Sequence, residues 1–209
     1  MQKAKGPGNS DGAATLQISI PKLDVGILKV RLVGSAPLIC HAWSQKTKQE
    51  MLAKQTHAAA SKKGAKDPQK CFEESLYKLP GGGYGFPATG LKSAIVDACI
   101  LAADIPKTRA RAVLHITQEF IKIKGTPTMR EDTVNIGRFP NRVADLRYRG
   151  EFKTWESDVE VTFLRNAISA DQLVNLIRYA GFAIGLGEWR PQKDGRFGTF
   201  EVQSTTKGE

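Results

Sequence analysis

The chain has 209 residues, 41% of them hydrophobic, and carries 31 Lys and Arg against 21 Asp and Glu, for a net charge of +10. That length suits one ordinary domain with a real core, and no apolar run approaches the roughly 20 residues that a membrane helix needs. The basic balance points to polyanions, with nucleic acid the commonest such partner, and the polar opening stretch predicts no export signal and a cytoplasmic protein.

Residues 1–14 are small and polar and are expected as a disordered arm. Strands are expected over 16–20 and 26–33; in the second, Ile27, Leu28, Val30 and Leu32 alternate around Lys29 and Arg31. Ser44 is a good cap for a basic helix carrying Lys46, Lys48 and Lys54. Residues 57–70 are small and basic without periodicity and read as a mobile loop. CFEESLYKL reads as a short helix, and PGGGYGFP (80–87) as a turn cluster. A helix follows over 89–103, with Leu91, Ile95, Cys99 and Ala102 on one stripe. A long strand is expected over 112–124.

Residues 125–150 lack a sustained apolar period and hold Arg130, Arg138, Arg142, Arg147 and Arg149. They predict an extended hairpin or an irregular excursion. Residues 158–165 alternate as a strand. Residues 169–180 form the strongest helix pattern, with Ser169 and Gln172 as a capping box, Leu173, Val174, Leu176, Ile177 and Ala180 as its core face, and Gly181 as a stop. A short strand closes the core at 198–202, and 204–209 is expected as a flexible tail.

The resulting order, βαββαβ, predicts an α+β, ferredoxin-like sandwich. One domain would span 15–203. It would carry an inserted basic helix and loop at 36–86, an arginine-rich excursion at 125–155 and a C-terminal glycine-rich loop.

That loop, GLGEWRPQKDGRFGTF over 185–200, sets Gly185, Gly187, Gly195 and Gly198 around Trp189, Arg190, Lys193 and Arg196. Glycine lets a backbone approach a ligand closely and adopt positive φ. Arginine suits phosphate, and tryptophan offers a face for a base. The loop therefore predicts a nucleic-acid contact, or else a tight chain crossing with basic residues at its rim. It is no dinucleotide fingerprint, because it follows a helix rather than a strand. No Walker-type GxxxxGK[ST] is present, and no cofactor is expected. In the excursion, the arginines would clamp phosphates with Phe139 and Tyr148 stacking on bases, or would form salt bridges. Lys62, Lys63 and Lys66 would add a sequence-independent contact, or belong to a solvated loop.

His41, His57 and His115 are the only histidines. A histidine can serve as the general base of a metal-independent RNA-processing nuclease, and no serine, lysine or tyrosine partner can be placed beside any of them from sequence. The acid pairs Glu73/Glu74 and Glu131/Asp132 need not converge on a metal, and none is expected. Trp43 and Trp155 flank the two insertions as core or contact residues. Cys40, Cys71 and Cys99 are widely spaced and read as reduced thiols.

The element order, with SADQLVNLIRYAGFAIG leading into GLGEWRPQKDGRFGTFEV, resembles the RAMP superfamily (repeat-associated mysterious proteins), which includes backbone subunits of CRISPR effector complexes. Gly185-Leu186-Gly187 and Gly195-Arg196-Phe197-Gly198 match the shape of that family's glycine loop. The resemblance implies that the excursion is a thumb that kinks bound RNA, and that the chain assembles as a helical filament along it. A phage or mobile-element member would suit so compact a basic chain. Beside this binding role stand a self-assembling phage shell or tube protein, and the nuclease. The partner is expected to be single-stranded RNA or DNA, with the chain a homo-oligomer and no membrane involved.

Overall fold

The computed structural model describes residues 19–56 and 66–208. In chain order the first elements are β1 (Val25–Gly34), β2 (Leu38–Cys40), α1 (Gln45–Gln55), α2 (Pro68–Glu74), β3 (Tyr77–Lys78), β4 (Tyr84–Pro87) and α3 (Ala88–Ala103). There follow α4 (Lys107–Val113), β5 (Leu114–His115), β6 (Phe120–Ile123), β7 (Pro127–Ile136), β8 (Val143–Phe152), β9 (Glu156–Leu164), α5 (Ala170–Tyr179) and β10 (Phe200–Gly208). The chain is α+β with antiparallel sheets. None of the described helices is long and apolar enough to cross a membrane.

β1 organises the main sheet. Leu28, Val30 and Leu32 are buried, while Lys29 and Arg31 open on the other face, the period of two that a half-buried strand requires. It pairs antiparallel with β10 on one side and β9 on the other, and β5 extends the far edge, giving the order β10-β1-β9-β5. α3 falls between β1 and β5 in the chain, and α5 between β9 and β10. The two helices pack on each other. Their Leu91, Ile95, Leu173 and Ile177 join Leu28, Leu32, Val161 and Phe163 in one buried cluster. Each fully buried aliphatic side chain there contributes about 2 kcal/mol.

α5 starts where its capping box places it. Ser169 Oγ accepts from Gln172 N at 3.2 Å, and Gln172 Oε1 accepts from Ser169 N at 2.9 Å. Gly181 does not stop it. The chain widens into a π turn over Ala180–Ile184 and ends at Gly185, with φ +72°. Gly181 is there for space: a Cβ would lie 2.0 Å from the Phe200 carbonyl oxygen of β10.

A second sheet has the order β2-β8-β7, and a third β3-β4-β6. β7 and β8 form a ten-pair antiparallel hairpin, so the excursion is regular, with Gly137 at φ +95° in its tip. Trp155 sits between the main sheet and the chain entering β2. It is buried, and its Nε1 donates to the Ala36 carbonyl at 2.9 Å. Gly34 leaves it room, since a Cβ there would lie 2.1 Å from that nitrogen.

Several expected elements differ. The single strand over 112–124 is three pieces: α4, then β5 in the main sheet, then β6 in the third. Within the loop expected over 57–70, Asp67 caps α2 through Lys70 N and Pro68 opens it, so that helix begins before CFEESLYKL. The end of the turn cluster is β4. Residues 204–208 continue β10 beside β1 rather than forming a loose tail. Of the strand expected over 16–20, residues 16–18 lie outside the described residues and Ile20 is in no strand.

Replacing Ser169 by Ala removes one leg of the capping box. The expected loss is about 1 kcal/mol of stability, read as a lower urea midpoint with an unchanged slope.

Candidate functional site

The glycine loop is a crossing of backbones. Gly187, at φ +73°, passes Ile39 of β2 so closely that a Cβ would lie 2.3 Å from its carbonyl oxygen. At Gly198, φ +69°, a Cβ would lie 1.8 Å from Leu186 O, and at Gly195, 1.7 Å from Trp189 O. Main-chain bonds lock the crossing: Glu188 N to Ile39 O at 3.1 Å, Leu186 N to Gly198 O at 2.9 Å, and Gly198 N to Pro37 O at 2.8 Å. These glycines are therefore accounted for by the fold.

The loop's cations divide. Arg190 is folded onto the loop, donating to Gly187 O at 3.0 Å and to Gln192 Oε1 at 3.1 and 3.2 Å; Gln192 in turn reaches Asp97 at 2.6 Å. Lys193 and Arg196 are exposed and form no ion pair among the described residues, although the Arg196 guanidinium lies 5.6 Å from the Phe197 ring centre. Trp189 is 42% exposed, at φ +55°.

The hairpin divides in the same way. At its root, Arg130 donates to Asp132 Oδ1 and Glu151 Oε1, both at 2.9 Å, and stacks 4.7 Å over Phe197, tying hairpin to loop. Its cross-strand neighbour Arg149 is buried, with Nη1 3.5 Å from Asp132 Oδ2. Burial pulls the Arg149 guanidinium below its usual pKa. Arg147 lies 3.8 Å from Asp145, and Tyr148 bonds its cross-strand partner Glu131, which pushes the phenol upward. At the tip, Arg138 and Arg142 are exposed, form no ion pair among the described residues, and flank Phe139, which is 84% exposed.

Two clefts run between these parts. One, of about 250 Å³, lies between α3 and the glycine loop and is lined by Tyr77, Ser93, Asp97, Gly187 and Arg190. The other, of about 620 Å³, lies under the hairpin root and is lined by Trp43, Thr47, Lys66, Lys70, Arg147 and Arg149. His41 lines both. Its Nδ1 is 3.2 Å from Glu188 Oε1, a bond that holds the Glu188 carboxyl below its usual value against the opposing effect of burial.

Lys66 bonds Asp145 and donates to Leu146 O at 2.9 Å, while Lys62, Lys63 and His57 lie outside the described residues. His115 is exposed, 3.3 Å from Lys92 Nζ. Trp43 is 56% exposed and Trp155 is core. The three cysteines are free thiols, and burial drives Cys40 up to about 12, where it is unreactive. Among the described residues no group of three or more His, Cys, Asp or Glu could hold a metal. The open face of the main sheet is no basic platform: Lys29, Arg31 and Lys124 pair there with Glu160, Glu156 and Asp158. Sequence reasoning missed Glu188 beside His41, 147 positions apart, and the different fates of Arg130, Arg149 and the tip arginines.

The sequence matches no protein-family model and no curated protein. The structure is similar to a chain of a type III-B Cmr-beta bound to cognate target RNA, at 10% identity and TM-score 0.48, covering 88% of this chain and 60% of that one. It is similar to Cmr6 from Pyrococcus furiosus at 9% identity and TM-score 0.41, covering 87% of this chain and 100% of that one. The chain thus spans about 60% of the length of the first of these.

A carboxylate depressed in the folded state adds stability above its unfolded value, and that stability is lost as the pH falls through the folded one. Wild type is therefore expected to exceed Glu188→Gln in melting temperature at neutral pH, with the gap closing as the pH drops below 4.5. A gap that persists at acid pH would mean that the His41 bond is not its source.

Proposed function

We propose that the chain is a non-enzymatic protein that binds single-stranded nucleic acid and assembles along it, built on a ferredoxin-like βαββαβ core. The strand order β10-β1-β9-β5, with α3 and α5 as the two crossovers, supports that core. The observation that carries the binding reading is the company kept by the exposed cations. Arg138 and Arg142 flank Phe139, and Lys193 and Arg196 follow Trp189, and none of these four cations meets an acid among the described residues. Unneutralised cations beside exposed rings suit a phosphate backbone with bases stacked on aromatic faces. The arginine-rich hairpin serves as the thumb-like arm of this reading.

Arg130, Arg147 and Lys66, which hold acids, act as scaffold and rim rather than as the main phosphate contacts. Arg190 shapes the loop. His41 and His115 are not assigned catalytic roles, since one is engaged by Glu188 and the other lies beside Lys92. Leu101 and Phe182, 60% and 82% exposed, suit contact between copies. Nothing in the clefts selects ribose over deoxyribose, which depends on a geometric reader of the 2′-hydroxyl.

Binding is measured over a range of salt with labelled 40-mers of single-stranded RNA and DNA, alongside light scattering. Wild type should bind with a steep salt slope and grow in size only with a strand present. The double variant Arg138→Ala, Arg142→Ala should keep its melting temperature and lose about 1.4 from that slope, about 0.7 for each phosphate contact on a single strand. An unchanged slope and affinity would remove the hairpin tip from the interface. Large particles without any strand would favour a shell protein instead.

A further inference from the structure

A third hollow lies away from the hairpin, where α3, α4 and α5 meet. It encloses about 340 Å³, and its floor is Cys99, Ala102, Ile105, Ala110, Val113 and Leu176. Phosphate and sugar find few partners on so apolar a floor, and the strand-binding reading does not use it. The rim carries large exposed side chains. Tyr179 lines the hollow and is 48% exposed, and Phe182, one turn further along the chain, is 82% exposed. On the α3 side Ile100 is 42% exposed, and the helix ends in Asp104, whose N–H donates to the Ile100 carbonyl. Apolar surface of this kind gains free energy when a second surface removes it from water.

The charges at the rim select the surface that fits. Asp104 adjoins the lining residues Ala103 and Ile105, and Arg109 is itself part of the lining. Both are exposed, and neither forms an ion pair among the described residues. Asp104 repels a polyanion, and Arg109 repels a basic partner. A patch that holds a hollow and an exposed ring, an unpaired acid and an unpaired base, is the complement of itself. We infer that this groove is the interface between two copies of the chain, related by a two-fold axis. Each Phe182 enters the groove of the other copy, and each Asp104 faces Arg109 of the other copy. Because one patch serves both copies, the contact closes at two, with the ring as anchor and the charges at the rim. The inference goes beyond strand binding and needs no strand; growth along a strand would then add dimers.

Sedimentation velocity of the full chain, freed of nucleic acid, follows its mass against concentration. Wild type is expected to pass from monomer to dimer and no further. Phe182→Ser should raise the dissociation constant at least tenfold with an unchanged circular dichroism spectrum, since in the single chain the ring lies in solvent. Asp104→Arg and Arg109→Asp each set like charges against each other at both contacts, and each should be monomeric at concentrations where wild type is paired. Mixing the two variants sets opposite charges together at both contacts and should restore the dimer, a result that misfolding does not imitate. A wild-type chain that stays monomeric at every concentration overturns the inference and leaves the groove to a different protein. A mass rising beyond two copies, a dimer untouched by Phe182→Ser or by the charge variants, or variants that mixing fails to restore also overturn it. Binding of 40-mers is measured separately and does not depend on this outcome, so the two readings fail separately.

Discussion

The approach of one backbone to another at the glycine loop is the constraint on which the rest depends. Three strands of chain meet there: the entry to β2, the loop itself and the segment returning to β10. At Gly187, Gly195 and Gly198 a carbonyl oxygen occupies the space a side chain would need. Main-chain hydrogen bonds reward such closeness, and only glycine permits it at positive φ. Because β10 belongs to the main sheet and β2 to the hairpin sheet, this contact sets how the two sheets meet. The cleft beside α3, which His41 also lines, takes its shape from it.

Charge is distributed by the same architecture. On the open face of the main sheet and at the hairpin root, cations and acids stand on neighbouring positions and largely neutralise each other. At the hairpin tip and the outer loop they do not. A net charge of +10 is therefore not a uniform coat. Exposed pairs contribute little to stability, so the paired face needs no further role, while the unneutralised tip retains its full field.

The parts of the fold legible in the sequence are those governed by neighbours in the chain. Ser169 and Gln172 announce α5 because a capping box is local, and β1 is readable because its alternation reflects one buried face. Residues 112–124 were not, because alternation says that a segment is half-buried but not which sheet covers it; β5 and β6 serve different sheets. Gly181 reads as a stop because glycine so often ends helices, yet here its role is clearance for Phe200. For the candidate site, the glycines announced close approach but not what approached. The arginines of 130–149 looked equivalent, and only the pairing of β7 with β8 shows that Arg149 points inward while Arg138 and Arg142 meet water. His41 and Glu188 meet through tertiary structure that no spacing encodes.

The hairpin has a mechanical consequence. β2 and Ser75 grip it near Gly150, where Ser75 Oγ accepts from Gly150 N at 2.7 Å, Arg130 ties its root to Phe197, and Lys66 touches it at Asp145 and Leu146. Beyond that, Asn135, Ile136, Val143 and Ala144 are exposed. From Gly150 to the turn the arm reaches about 23 Å. A tilt of about 5° at the root therefore swings the tip through about 2 Å at the strand rise given. The arm is a lever that converts small adjustments beside the clefts into wide sweeps of Phe139 and its arginines, and that enlarges the radius at which a passing chain is first caught.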